Sequence, residues 1–169
     1  MTGMTPFRVL QIQSTLSFAA FALIARWHVA PRLATRSLED ALVPLLWIHV
    51  FRYAPLTLYA PGQVDAGIPA DVLGAVAYGD LAAALFAFVA LLAVKYRLRG
   101  AVALTWLFTV VGTADLVFAT VKAVGAEMYR YPMGWNWYIL NFYVPMLVVS
   151  QMMIVLLLLR PRATKTITR

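Results

Sequence analysis

Four ionisable side chains stand deep inside otherwise apolar stretches of this 169-residue chain: His49, Arg52, Asp80 and Asp115. An unpaired charge at the centre of a helix in lipid costs about 2.5–3.5 kcal/mol. Three together would approach about 10 kcal/mol, the stability of a whole domain. Arg52, Asp80 and Asp115 must therefore pair, neutralise or line water. The simplest pairing sets the planar fork of Arg52 between the two carboxylates. One negative charge is then left over, to be balanced by a bound proton, a cation or a protonated His49. His49 and Arg52 share a helix face at i and i+3. Asp80 has Ala77 and Ala84, and Asp115 has Gly112 and Ala119, at i−3 and i+4; such small neighbours permit close helix contact.

Other polar groups surround these four in the sequence. Gln11, Ser14 and Thr15 lie in the first apolar stretch, Tyr78 and Lys122 flank the carboxylates, and Asn136, Tyr138 and Asn141 begin the last stretch. Gln11, Tyr78, Lys122 and Asn141 accordingly join His49, Arg52, Asp80 and Asp115 as candidate ligand- or ion-binding residues. Plainer roles compete with each. The charged cluster could only pin helix packing, His49 could hydrogen-bond a neighbouring carbonyl, and Lys122 could snorkel to an interface. Trp135, Trp137 and Tyr138 suit interfacial anchors, as does His28. Pro44, Pro55 and Pro145 can kink their helices and free carbonyls nearby.

Several chemistries are argued against. The chain has no cysteine, hence no disulfide, thiolate nucleophile or Cys-ligated metal. His28 and His49 differ in depth by about 12 Å on a helical rise of 1.5 Å per residue, too far for a shared metal or haem. There is no Gly-rich phosphate loop and no Gly-x-Ser-x-Gly elbow. No metal or cofactor is expected.

The elements that must position the cluster follow from composition. The chain is 63% hydrophobic and 12% charged, against about 45–50% apolar residues in soluble domains. Its charges cluster between apolar stretches of about 20 residues, the length that crosses a bilayer. The expected fold is all-α, a polytopic bundle of five transmembrane spans at about 9–29, 41–59, 69–94, 101–124 and 135–159, forming one integral membrane domain. Met1 to Arg8 lacks a strongly basic leader, so the first span reads as retained, not as a cleaved signal. Pro31, Arg32 and Arg36 close that span, and Ser37-Leu38-Glu39-Asp40 opens the next as a capping-box-like start. On these spans Arg52, Asp80 and Asp115 each fall roughly 2–4 Å to the same side of the bilayer centre.

Lysine and arginine alternate between the two sides of such a bundle. Arg26, Arg32 and Arg36, then Lys95, Arg97 and Arg99, then Arg160, Arg162, Lys165 and Arg169 fall on one side. The other side carries Arg8 and Arg130 with an aromatic segment from Tyr129 to Tyr138. Cytoplasmic loops hold the basic excess and aromatic belts mark interfaces. The N-terminus is therefore expected outside and the C-terminus in the cytoplasm. The net charge of +7 flanks apolar segments and forms no basic patch interleaved with exposed aromatics, which argues against nucleic acid. The overall pattern resembles small bacterial inner-membrane proteins, which implies that location but supplies no functional residue.

Three readings of function stay open. The cluster binds or passes a proton, cation or small molecule from the outer face, in a chain that pairs with itself. Alternatively, the chain is a structural or accessory subunit of a membrane complex, or an enzyme or binder acting on a lipid-soluble substrate such as an isoprenoid or sterol, with Asp80 or Asp115 as acid or base. The orientation has its own test. A reporter fused after Arg169 is expected to be active only in the cytoplasm, and one inserted between Gly125 and Gly134 only outside; the reverse result contradicts the basic-loop assignment.

Overall fold

Long apolar runs rich in Ala and Leu favour extended helices, and the few breakers in the chain either end those helices or change their pitch. The computed structural model describes residues 3–160, and these contain helices and turns with no strand. Five helices dominate: α1 Pro6–Ala34, α2 Leu38–Tyr59, α3 Ala70–Lys95, α4 Ala101–Gly125 and α5 Asn136–Leu158. Each is long and apolar enough to cross a membrane. The expected spans two to five coincide with α2 to α5 to within one turn. Pro161, Arg162, Lys165 and Arg169 lie outside the described residues.

The first expected boundary is corrected. Pro31 does not close α1, which runs on to Ala34. In a regular helix the Pro31 ring would collide with the carbonyl of Trp27. A π turn over Ala25–Val29 widens the helix instead, with the Ala30 N–H reaching back to the Ala25 carbonyl. The same device precedes Pro145, where Ile139–Tyr143 is a π turn and the Val144 N–H reaches the Ile139 carbonyl. Pro55 lies in a 3-10 stretch, Phe51–Tyr59, that forms the last part of α2.

Helix starts follow the local chemistry. Ser37 Oγ accepts from the Asp40 N–H at 3.1 Å and donates to the Asp40 carboxylate at 2.7 Å, the expected capping arrangement with Asp in the third position. Gly100, at φ +89°, turns the chain between α3 and α4 in a conformation that other residues rarely adopt.

Helix α3 is the centre of the bundle. It packs against α2 on one side and α4 on the other, while α5 closes the bundle against α2 and α4. Ala77, Ala83, Ala84, Ala87 and Ala90 on α3 are buried, and their small side chains let the neighbouring backbones approach. Helix α1 packs on the flank of α5 and has only Leu33 buried.

Two apolar clusters fill the interior. One, at the basic end, gathers Leu42, Leu46, Ala87, Val94, Phe108 and Ile154. The other, at the aromatic end, gathers Leu58, Val72, Ala77 and two loop methionines, Met128 and Met133. Two loops lie over that end, joined where the Asp65 N–H donates to the Pro132 carbonyl at 3.1 Å. Between the two clusters lies a layer of buried polar side chains.

The close approach around α3 can be tested at Ala87, which is fully buried. Ala87→Leu is expected to lower stability by about 1–3 kcal/mol through overpacking, read as a lower thermal midpoint in detergent. An unchanged midpoint contradicts the small-residue contact.

Candidate functional site

Arg52 is fully buried at the start of the 3-10 stretch of α2. A 3-10 helix repeats every three residues, and Arg52, Pro55 and Leu58 are the buried residues of this stretch. The pitch change thus keeps one face inward, in line with His49 one turn earlier. The guanidinium has three neighbours. Its Nε donates to Asp80 Oδ1 at 2.8 Å, its Nη1 to the Gly112 carbonyl at 3.0 Å and its Nη2 to Asp115 Oδ2 at 2.5 Å. Nη2 also lies 2.7 Å from Asp80 Oδ1. The pairing expected from the sequence is therefore present, extended by a backbone carbonyl.

Both carboxylates are almost closed off, with side chains 9% exposed. One cation faces two anions, so the cluster carries one uncompensated negative charge if all three are ionised. Asp115 can reach Arg52 because α3 passes close by at Gly79. A methyl group at Gly79 would occupy the space of the Asp115 carboxylate, and one at Gly112 would press on Arg52 Nη1 and on Phe108. Both positions need glycine for lack of a side chain.

Asp80 borders a cavity of about 50 Å³ on the aromatic side of the cluster, walled by Pro55, Leu58, Val76, Met128, Met133 and Asn136. This is room for a few water molecules. Asn136 is buried, its Oδ1 accepts from Thr57 Oγ1 at 2.6 Å, and its Nδ2 has no partner. A carboxylate and an unpartnered amide donor thus border one small space.

On the basic side of the cluster lies a second polar layer. His49, fully buried, shares a hydrogen bond of 3.0 Å between Nε2 and Ser150 Oγ. Ser150 Oγ also donates to the carbonyls of Met146 and Leu147. With one hydroxyl proton among these three neighbours, Ser150 either accepts from a His49 proton on Nε2 or donates to Nε2 in the other tautomer. His49 Nδ1 has no partner, and neither has Gln151 Oε1. No carboxylate lies within 4.0 Å of His49 among the described residues, so the expected balancing of the leftover charge by a protonated His49 has no direct contact to support it. Gln151 Nε2 lies 3.5 Å from the Thr109 carbonyl.

Four candidates fall elsewhere. Gln11 is exposed on α1; its neighbours Gln13 and Ser14 are the ones that meet α5, through Trp137 Nε1 at 2.8 Å and Asn141 Oδ1 at 3.1 Å. Tyr78 points outward from α3, 59% exposed, against Tyr59. Lys122 faces Asp71 at 3.6 Å with both side chains exposed, away from the cluster. Asn141 is buried, but its amide is spent on Ser14 and on the Trp137 carbonyl, which ties α1 to α5. Thr57, Gly79, Ser150 and Gln151 carry no charge and so escape a search for costly ions; the Ser-Gln pair in the middle of apolar α5 is the available signal for the last two.

The family model for the domain of unknown function DUF8737 matches residues 9–159, and the chain belongs to that family. The matched segment contains the whole polar layer. Comparison with curated proteins and with solved structures found no match.

The geometry makes Arg52 the residue whose loss should cost most. Arg52→Leu strands two buried carboxylates and is expected to destabilise by roughly 3–5 kcal/mol. Gly79→Ala should also lower stability by displacing Asp115. Thermal unfolding in detergent checks both, and wild-type midpoints contradict the ion bridge.

Proposed function

We propose that the bundle lies in a membrane with its N-terminus outside and its C-terminus in the cytoplasm, and that its buried cluster binds or passes a proton or small cation reached from the outer face. Apolar exposure supports the membrane placement. Leu16, Val110, Val117, Val121, Met152 and Leu156 are each at least 60% exposed, a surface that water penalises and lipid does not.

One observation carries the functional reading. Arg52 alone is shared by two carboxylates, and Asp80 borders the cavity that reaches toward the aromatic end. Inside a membrane the leftover negative charge needs a proton or cation. At about 50 Å³ the cavity can hold either with a few waters and is too small for most organic substrates, which favours this reading over an enzyme of lipid-soluble substrates. Met128 and Met133 stand between cavity and loop, and their flexible thioethers can yield to a passing ion or water.

Replacing each carboxylate by its amide separates function from packing. Asp80→Asn and Asp115→Asn each remove one charge while keeping shape, so at least one leaves a balanced pair with Arg52 and should fold with parental stability. That variant is expected to lose proton or cation flux in liposomes, because an amide cannot exchange the ion. If both variants keep parental stability and parental flux, including a parental flux of zero, the cluster is scaffold, as in a structural subunit.

A further inference from the structure

The basic end of the bundle holds a groove that the buried cluster does not use. Its walls are the start of α2 and the end of α3, and its volume is about 640 Å³. Arg36, Lys95 and Arg97 line it against one carboxylate, Asp40; three positive charges against one negative leave two in excess. Asp40 does little to cancel them. Its Oδ1 lies 3.6 Å from Arg97 Nη2 with both side chains more than half exposed, a separation at which solvent screens the attraction. Its Oδ2 is held by Ser37. The side chains of Arg36 and Lys95 have no ion-pair partner among the described residues.

Away from the charges the groove is apolar. Val43, Pro44, Trp47 and Val94 continue it, and Trp47 remains 46% exposed. From Leu38, just after Arg36, to Trp47 the helix rises about 14 Å, so the groove has a cationic mouth and an apolar channel along one helix. A free phosphate compound would fill the mouth alone. An amphiphile with an anionic head and a hydrocarbon tail matches both parts, and basic pockets between helices on the cytoplasmic side are suited to such heads.

We propose that this groove binds the phosphate-bearing headgroup of an anionic phospholipid between Arg36, Lys95 and Arg97, with an acyl chain lying along Val43, Pro44 and Trp47. Such a ligand presupposes the membrane placement proposed above and is independent of the chemistry at Asp80 and Asp115. Its phosphate shares charge with the cations without any covalent change. Its binding therefore weakens as ionic strength rises.

The test uses the full chain purified in detergent and titrated with phosphatidylglycerol, phosphatidylcholine and glycerol phosphate, with bound lipid counted by native mass spectrometry. Phosphatidylglycerol is expected to bind in preference to phosphatidylcholine and to resist displacement by glycerol phosphate. Arg36→Gln, Lys95→Gln and Arg97→Gln should each weaken it about fivefold, while Lys122→Gln, at the opposite end, should not. Equal binding of the two lipids, or unchanged binding in all three variants, overturns the site. Displacement by glycerol phosphate at matched concentration assigns the groove to a soluble phosphate and overturns the lipid. Cell fractionation keeps the two levels apart: a chain found in membranes that shows no lipid preference refutes the groove alone, whereas a chain soluble without detergent refutes the membrane placement as well.

Discussion

A guanidinium with no access to solvent, in the middle of a helical bundle, is the constraint around which the rest of this structure is arranged. Removing such a group from water costs several kcal/mol unless its hydrogen bonds are replaced with good geometry. Replacement here draws on three helices at once: Arg52 from α2, Asp80 from α3, and Asp115 with the Gly112 carbonyl from α4. The backbones must come close for short side chains to meet one fork. Gly79, Gly112 and the buried alanines of α3 make that approach possible, and the 3-10 stretch of α2 keeps the arginine on the inward face.

The same constraint divides the interior. Apolar clusters pack above and below, where helices need only fit in shape, while the middle layer must satisfy polar atoms one by one. It does so incompletely. His49 Nδ1, Gln151 Oε1 and Asn136 Nδ2 are buried without partners, and they lie on both sides of the ion bridge. Each hydrogen bond left unmet costs about 1–3 kcal/mol, so these are three positions at which a bound water or ligand would find a partner.

Much of this was legible in the sequence because charge in an apolar span leaves few choices. Arg52, Asp80 and Asp115 could be paired from their depth alone, and the limits of four of the five helices followed from Pro, Gly and charge placement. What escaped has physical reasons. Pro31 signals a helix end in isolation, but the π turn at Ala25–Val29 absorbs it, and nothing local distinguishes the two outcomes. Tyr78 lies near the level of the cluster yet points outward, because depth leaves the rotation of a helix free. Lys122, two turns beyond Asp115, and Gln11, on the peripheral α1, lie at another level. Gly79 and Gln151 carry no charge, so a search for costly ions passes over them even though one admits Asp115 and the other adjoins Gly112.

With both carboxylates ionised the buried cluster holds one negative charge more than Arg52 can balance, and on the reading proposed here an exchangeable proton or cation makes up the difference. Infrared difference spectroscopy of the carboxyl bands, on protein in lipid, reads this directly. As pH or cation concentration is varied, one aspartate band is expected to respond, to shift in heavy water if a proton is the partner, and to vanish in either Asp80→Asn or Asp115→Asn. Carboxylate bands that stay fixed under every proton and cation concentration at which the protein remains folded would contradict the account.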